Sequence, residues 1–204
     1  MLIFKPQEIE KLILLLKSGQ TVFLPTETSY GLGCYATNRD YVEKVFKIKE
    51  REWNKLLLVV VPNIKMAKKY LVWNETLQKL AKKYWPGPLT VVGDYRHRNW
   101  FGKNLVIGVV SEQKTIAVRI TADPFLKEIS KRLGQPLVAT SANLAGDGEI
   151  YGAEEIKTIF SDRPNSPDIL VDGGELKRNK PTTVVSVLGN DLKILREGEI
   201  KVKI

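Results

Sequence analysis

With 204 residues, 43% of them hydrophobic, the chain has enough apolar material for one well-filled core, and no linker-like stretch divides it, so a single domain over 1–204 is expected. A single cysteine, Cys34, excludes an intramolecular disulfide and any metal site built on cysteine pairs, and no run approaches the roughly 20 apolar residues a spanning helix needs. The opening MLIFKPQEIEKLI meets a proline and charges before a signal-like core can form, which predicts a soluble, cytoplasmic protein without a membrane partner, and the net charge of +9 favours polyanions such as nucleotides and RNA while also serving as plain solubilising charge.

No internal repeat is visible, so periodicity and punctuation carry the reading. Residues 8–18 place Ile9, Leu12, Ile13, Leu15 and Leu16 at helical spacing and stop at Gly19; 21–24 then reads as a short buried strand, followed by a glycine-rich loop, PTETSYGLG. Asp40 is a candidate cap for a helix running to Lys49, and LLLVVV at 56–61 reads as a central strand. Helices are predicted over 64–70 and 74–84, a PGP turn at 86–88, strands over 89–92 and 116–120, and a loop or hairpin over 94–115. Asp123-Pro124 starts a helix that Gly134 stops, strand 137–140 follows, 153–160 is helical and 169–171 extended, and strands 183–188 and 192–195 pair across Gly189-Asn190. The sum is an α/β fold.

Familiar catalytic machinery is missing. His97 sits in the polar stretch YRHRN with no evident orienting neighbour and reads as a loop residue; Cys34 reads as a small packed side chain. What recurs instead, where strands end, are clusters of hydroxyls, glycines and cations: 25–33, 49–55, 140–143 and 182–196. Such groups suit phosphate and carboxylate oxygens, and strand ends of open α/β sheets are common ligand sites. Singly each has a plainer reading: Gly31 and Gly33 as turn glycines of positive φ, Thr140 to Asn143 as a strand exit, and Lys49, Arg51 and Lys55 as a solvated face after a helix. Neither GxxxxGK[ST] nor GxGxxG occurs, so an ATP site here must be of another kind.

Taken in order, PTETSYGLGC (25–34), IKER (48–51), WPGPLT (85–90), AVRI (117–120), PLVATSANLAG (136–146), TTVV (182–185) and LREG (195–198) resemble the YrdC-like threonylcarbamoyl-AMP synthase family over almost the whole chain, in its short, single-domain form. The resemblance implies a twisted, open mixed sheet with flanking helices and a basic concave site. It also implies synthesis of threonylcarbamoyl-AMP and pyrophosphate from L-threonine, bicarbonate and ATP, for modification of tRNA beside the anticodon, with magnesium on the phosphates and no dedicated metal ligands. Thr28, Arg119 and Thr182 would hold threonine. Lys49, Arg51, Lys55, Thr115, Ser141, Asn143 and Arg196 would contact ATP, Lys49 and Arg51 foremost, by positioning and electrostatics rather than as nucleophiles. Partners implied are the tRNA threonylcarbamoyl transferase machinery and tRNA or double-stranded RNA. Two positions depart from the pattern: Val60, where a histidine is common, and Glu149, where a serine is. A non-catalytic RNA-binding module and a related carbamoyl-adenylate enzyme of the hydrogenase-maturation type are the alternatives.

Overall fold

The computed structural model describes residues 1–97 and 104–203. It begins with an edge strand the sequence reading lacks, β1 (Leu2–Phe4), and continues with α1 (Ile9–Lys17), β2 (Val22–Pro25), β3 (Tyr30–Tyr35), α2 (Arg39–Lys49), β4 (Leu58–Val61), α3 (Ile64–Tyr70) and α4 (Glu75–Tyr84). The second half runs β5 (Leu89–Asp94), β6 (Thr115–Ile120), α5 (Pro124–Leu133), β7 (Leu137–Ser141), α6 (Ala153–Phe160), β8 (Ile169–Val171), β9 (Thr183–Leu188) and β10 (Asp191–Arg196). All ten strands form one mixed sheet in the order β1-β8-β2-β3-β7-β4-β6-β5-β9-β10. The 94–115 connection joins antiparallel neighbours, as a hairpin would; its residues 98–103 lie outside the described residues.

Local chemistry sets the helix ends. Asn38, not Asp40, caps α2, its side chain accepting from the amides of Asp40 and Tyr41; Asn63, Asn74 and Asp123 cap α3, α4 and α5 in the same way, and Gly134 ends α5 in the left-handed conformation. No helix among the described residues is long and apolar enough to cross a membrane.

The glycine-rich stretch expected as a loop is mostly strand. Gly31 and Gly33 sit within β3, hydrogen-bonded between β2 and β7, and neither has a positive φ. A Cβ on Gly33 would stand 2.8 Å from the Val138 carbonyl oxygen, so this glycine serves the close approach of a neighbouring strand rather than a turn.

Successive residues of a strand face opposite sides of a sheet. On one side, Phe23, Leu32, Val59, Val91, Val118, Val138, Leu170 and Val185 pack under α2, α3, α4 and α6 in a core spanning nearly the whole sheet. On the other side, Val22, Leu24, Val60, Leu137, Ala139 and Ile169 pack only against α1 and α5, and β5, β6, β9 and β10 contribute nothing to this second core. Half of one sheet face is therefore left without a helical cover.

Candidate functional site

That bare half is the floor of a cavity of about 350 Å³, within the size range of small-molecule sites. Leu58, Thr90, Val92, Ala117, Arg119 and Val184 line it, alternate residues of β4, β5, β6 and β9 whose sequence neighbours lie in the core behind. Arg196 reaches the same side because β10 carries a bulge: Ile194 opposes Val185 and Arg196 opposes Val184, with Leu195 extra. In unbroken register Leu195 would face Val184 and Arg196 would point to the helical side.

Arg119 is 3% exposed, and burial pulls its pKa down while Glu27, Asp123 and Glu149 act in the opposite direction. Its guanidinium makes one polar contact among the described residues, Nη2 to Glu27 Oε2 at 3.5 Å, and Nε is fully buried without a partner. Glu27 itself is held from behind, both carboxylate oxygens accepting from the Thr121 hydroxyl at 2.9 and 3.0 Å. A buried guanidinium with unused N–H groups is costly unless an acceptor arrives, and a carboxylate or phosphate supplies two oxygens at its spacing.

The remaining expected site residues divide. Thr28, Arg51, Ser141, Thr182 and Arg196 line the cavity with Arg119. Thr28 is set by the Thr26 hydroxyl, which donates to the Ser29 carbonyl at 2.7 Å and accepts from the Thr28 amide at 3.2 Å. Arg51 donates through Nε and Nη2 to the carbonyls of Lys55 and Leu56 at 3.0 and 3.1 Å, closing the 51–56 loop on itself.

Lys49, Lys55, Thr115 and Asn143 do not line it. Glu50, in the left-handed conformation with φ 49°, turns the chain between Lys49 and Arg51, so that Lys49 goes inward while Arg51 reaches the cavity. Lys49 is 1% exposed and donates to the Ser141 and Asn143 carbonyls, both at 2.6 Å, and to Asn143 Oδ1 at 3.2 Å; burial pushes its pKa down to about 7. Asn143 Oδ1 also accepts from the Ser141 hydroxyl, so Lys49 and Asn143 together brace the end of β7. Lys55 is exposed, with Glu52 at 3.4 Å, and Thr115 lies beyond Ala117 on the cavity side of β6, its hydroxyl 2.8 Å from that of Ser111.

The cavity holds three arginines against one carboxylate, Glu149, whose Oε2 accepts from the Tyr151 hydroxyl at 3.4 Å. Among the described residues no group of three or more His, Cys, Asp or Glu could hold a metal. His97 is exposed and Cys34 is buried under α2, its pKa raised by that burial. Thr90, which the sequence reading does not single out, also lines the cavity; its sign in the sequence is a hydroxyl inside the apolar strand LTVV, on the face opposite Leu89 and Val91.

The model of the Sua5, YciO and YrdC proteins, described as telomere recombination, matches residues 14–198. The chain belongs to this family. A Methanocaldococcus jannaschii member, provisionally named threonylcarbamoyl-AMP synthase, is 31% identical over 187 residues, 91% of this chain and 83% of its own. P. abyssi Sua5, solved in complex with L-threonine, superposes with a TM-score of 0.84 at 25% identity over 97% of this chain, which spans 58% of that longer protein. E. coli YciO, at 22% identity and a TM-score of 0.83, covers 99% of this chain and 97% of its own and shares the fold. Of the two departures from the Sua5–YciO–YrdC sequence pattern, Val60 lies in the core beneath α5, away from the cavity, whereas Glu149 stands on its wall.

Proposed function

We propose that the protein is an L-threonylcarbamoyladenylate synthase, a nucleotidyltransferase that makes threonylcarbamoyl-AMP and pyrophosphate from L-threonine, bicarbonate and ATP. The observation that carries this reading is the buried, hydrogen-bond-starved guanidinium of Arg119 on the floor of an arginine-lined cavity in a chain of this family. Arg119 takes the threonine carboxylate, with the Thr28 and Thr182 hydroxyls beside it, and Arg51, Ser141 and Arg196 face the nucleotide and its phosphates. ATP enters as its magnesium complex, since the cavity wall offers the cation one carboxylate and no cage of its own.

The threonine amine condenses with bicarbonate, releasing water, to give a carbamate. One carbamate oxygen attacks the α-phosphorus of ATP, the bond from that phosphorus to the bridging oxygen breaks, and pyrophosphate leaves with the bonding pair. Alignment and charge neutralisation suffice for this step, which accounts for a site built without a protein nucleophile. Lys49 and Asn143 act from behind the wall, fixing the Ser141 segment. The product is a reactive mixed anhydride whose proposed destination is adenosine in tRNA, through a threonylcarbamoyl transferase in the same cytoplasm.

The test is pyrophosphate release by the purified chain with magnesium, ATP, bicarbonate and threonine, each omitted in turn. Release is expected only with all four, and Arg119→Ala is expected to reduce kcat/KM for threonine at least a hundredfold. Release that ignores threonine would sink the reading.

A further inference from the structure

Thr90 of β5 is 3% exposed, lines the cavity and stands directly across the ladder from Arg119. Its hydroxyl oxygen lies 2.9 Å from the Thr182 hydroxyl oxygen and has no other partner among the described residues. Thr182 is in turn approached by Arg196, whose Nη2 lies 3.3 Å from the Thr182 hydroxyl oxygen and 2.9 Å from its carbonyl, with Nε at 3.2 Å from that carbonyl.

An arginine can only donate, so the Thr182 oxygen accepts from Arg196. Among the described residues the Thr182 proton then has one acceptor, Thr90 Oγ1, which assigns Thr182 as the donor of that bond. With Thr182 donating, the Thr90 hydroxyl keeps a proton to give, and no acceptor for it is found among the described residues. Each donor in such a chain polarises the next, and this one ends beside the unused N–H groups of Arg119.

We propose that Thr90 is a substrate-binding residue: its hydroxyl donates to the carboxylate that Arg119 holds, making a two-point clamp whose second arm is oriented by Thr182 and Arg196. The inference rests on the proposed function and deepens it. One carboxylate oxygen sits on the guanidinium edge, and the other, or a second lone pair of the first, meets the hydroxyl.

The experiment uses the full chain with Thr90→Val, Thr90→Ser and Thr182→Val, measuring threonine binding by titration calorimetry and the KM values for threonine and ATP by pyrophosphate release. Valine keeps the volume and deletes the donor; serine keeps the donor. Thr90→Val is expected to weaken threonine binding about tenfold or more, the range for one lost hydrogen bond to a charged group, with the ATP KM changed less than about twofold. Thr90→Ser is expected to bind threonine within about twofold of the parent, and Thr182→Val to lose affinity in the same direction as Thr90→Val. Parent-like binding by Thr90→Val overturns the proposal, and so does an equal loss in Thr90→Ser, which would mean that shape and not the hydroxyl matters. A parent protein that neither binds nor turns over threonine overturns the functional reading first, before any variant is compared.

Discussion

Lys49 shows how far a side chain's role depends on what it faces. Its ammonium ends among three oxygen acceptors with almost no contact with water, and burial pulls its pKa from an ordinary 10.5 down to about 7. Between those values the unfolded chain binds the proton more tightly than the folded one, so Lys49 makes stability rise with pH across that window, and its penalty is complete below about 7. Lys49→Met should flatten that slope in urea midpoints measured at pH 7 and pH 9. The variant should also lose about 1–3 kcal/mol overall, because three acceptors at the end of β7 lose their donor. The sequence named the IKER residues as a group, but not that Glu50 would turn the chain and send Lys49 and Arg51 to different sides. A left-handed conformation at a non-glycine residue leaves no sign in composition. Arg119 was more legible, because an arginine inside a short apolar strand has to meet either an acid or a ligand, and here it meets one distant acid and a cavity.

Elements with their signals inside a few residues were readable to the boundary. For α5, Asp123, Pro124 and Gly134 act locally, and the helix runs from Pro124 to Leu133 as expected. β3 is hidden because its evidence is nonlocal: its two glycines read as a loop until β2 and β7 pair on either side and the Val138 carbonyl of β7 leaves no room for a Cβ on Gly33. β1 is three residues of edge strand paired with a strand 167 positions away, beyond the reach of any sequence window. The bulge in β10 belongs to the same class. Deleting Leu195 should remove the bulge yet leave Arg196 next to Ile194, opposite Val184 and on the cavity side, so the ATP KM should stay within about twofold of the parent while Arg196→Ala raises it. A deletion variant whose ATP KM rises as far as that of Arg196→Ala would mean that the pairing opposite Val184 is not what places Arg196 on this wall.

At the scale of the molecule, the expected open mixed sheet with flanking helices is present; its two unequal faces were not foreseen, since no residue pattern states that α1 and α5 together stop short of β6. At the middle of the cavity floor stands a small side chain, Ala117, 9% exposed between Leu58 and Val92 on the neighbouring strands. Ala117→Leu would push a branched side chain into the space a ligand needs. Its thermal midpoint should hold or rise, the stability gaining up to about 1 kcal/mol from the added apolar contact, while threonine binding disappears. A lowered midpoint with binding retained would contradict this placement of the floor.

The pleat has one more consequence. Because the floor residues alternate with those locked under α3 and α4, the floor can be rewritten one side chain at a time while the residues beneath keep their neighbours. Inheritance can therefore vary what this surface recognises almost independently of what keeps the chain folded, much as type can be reset in a fixed frame.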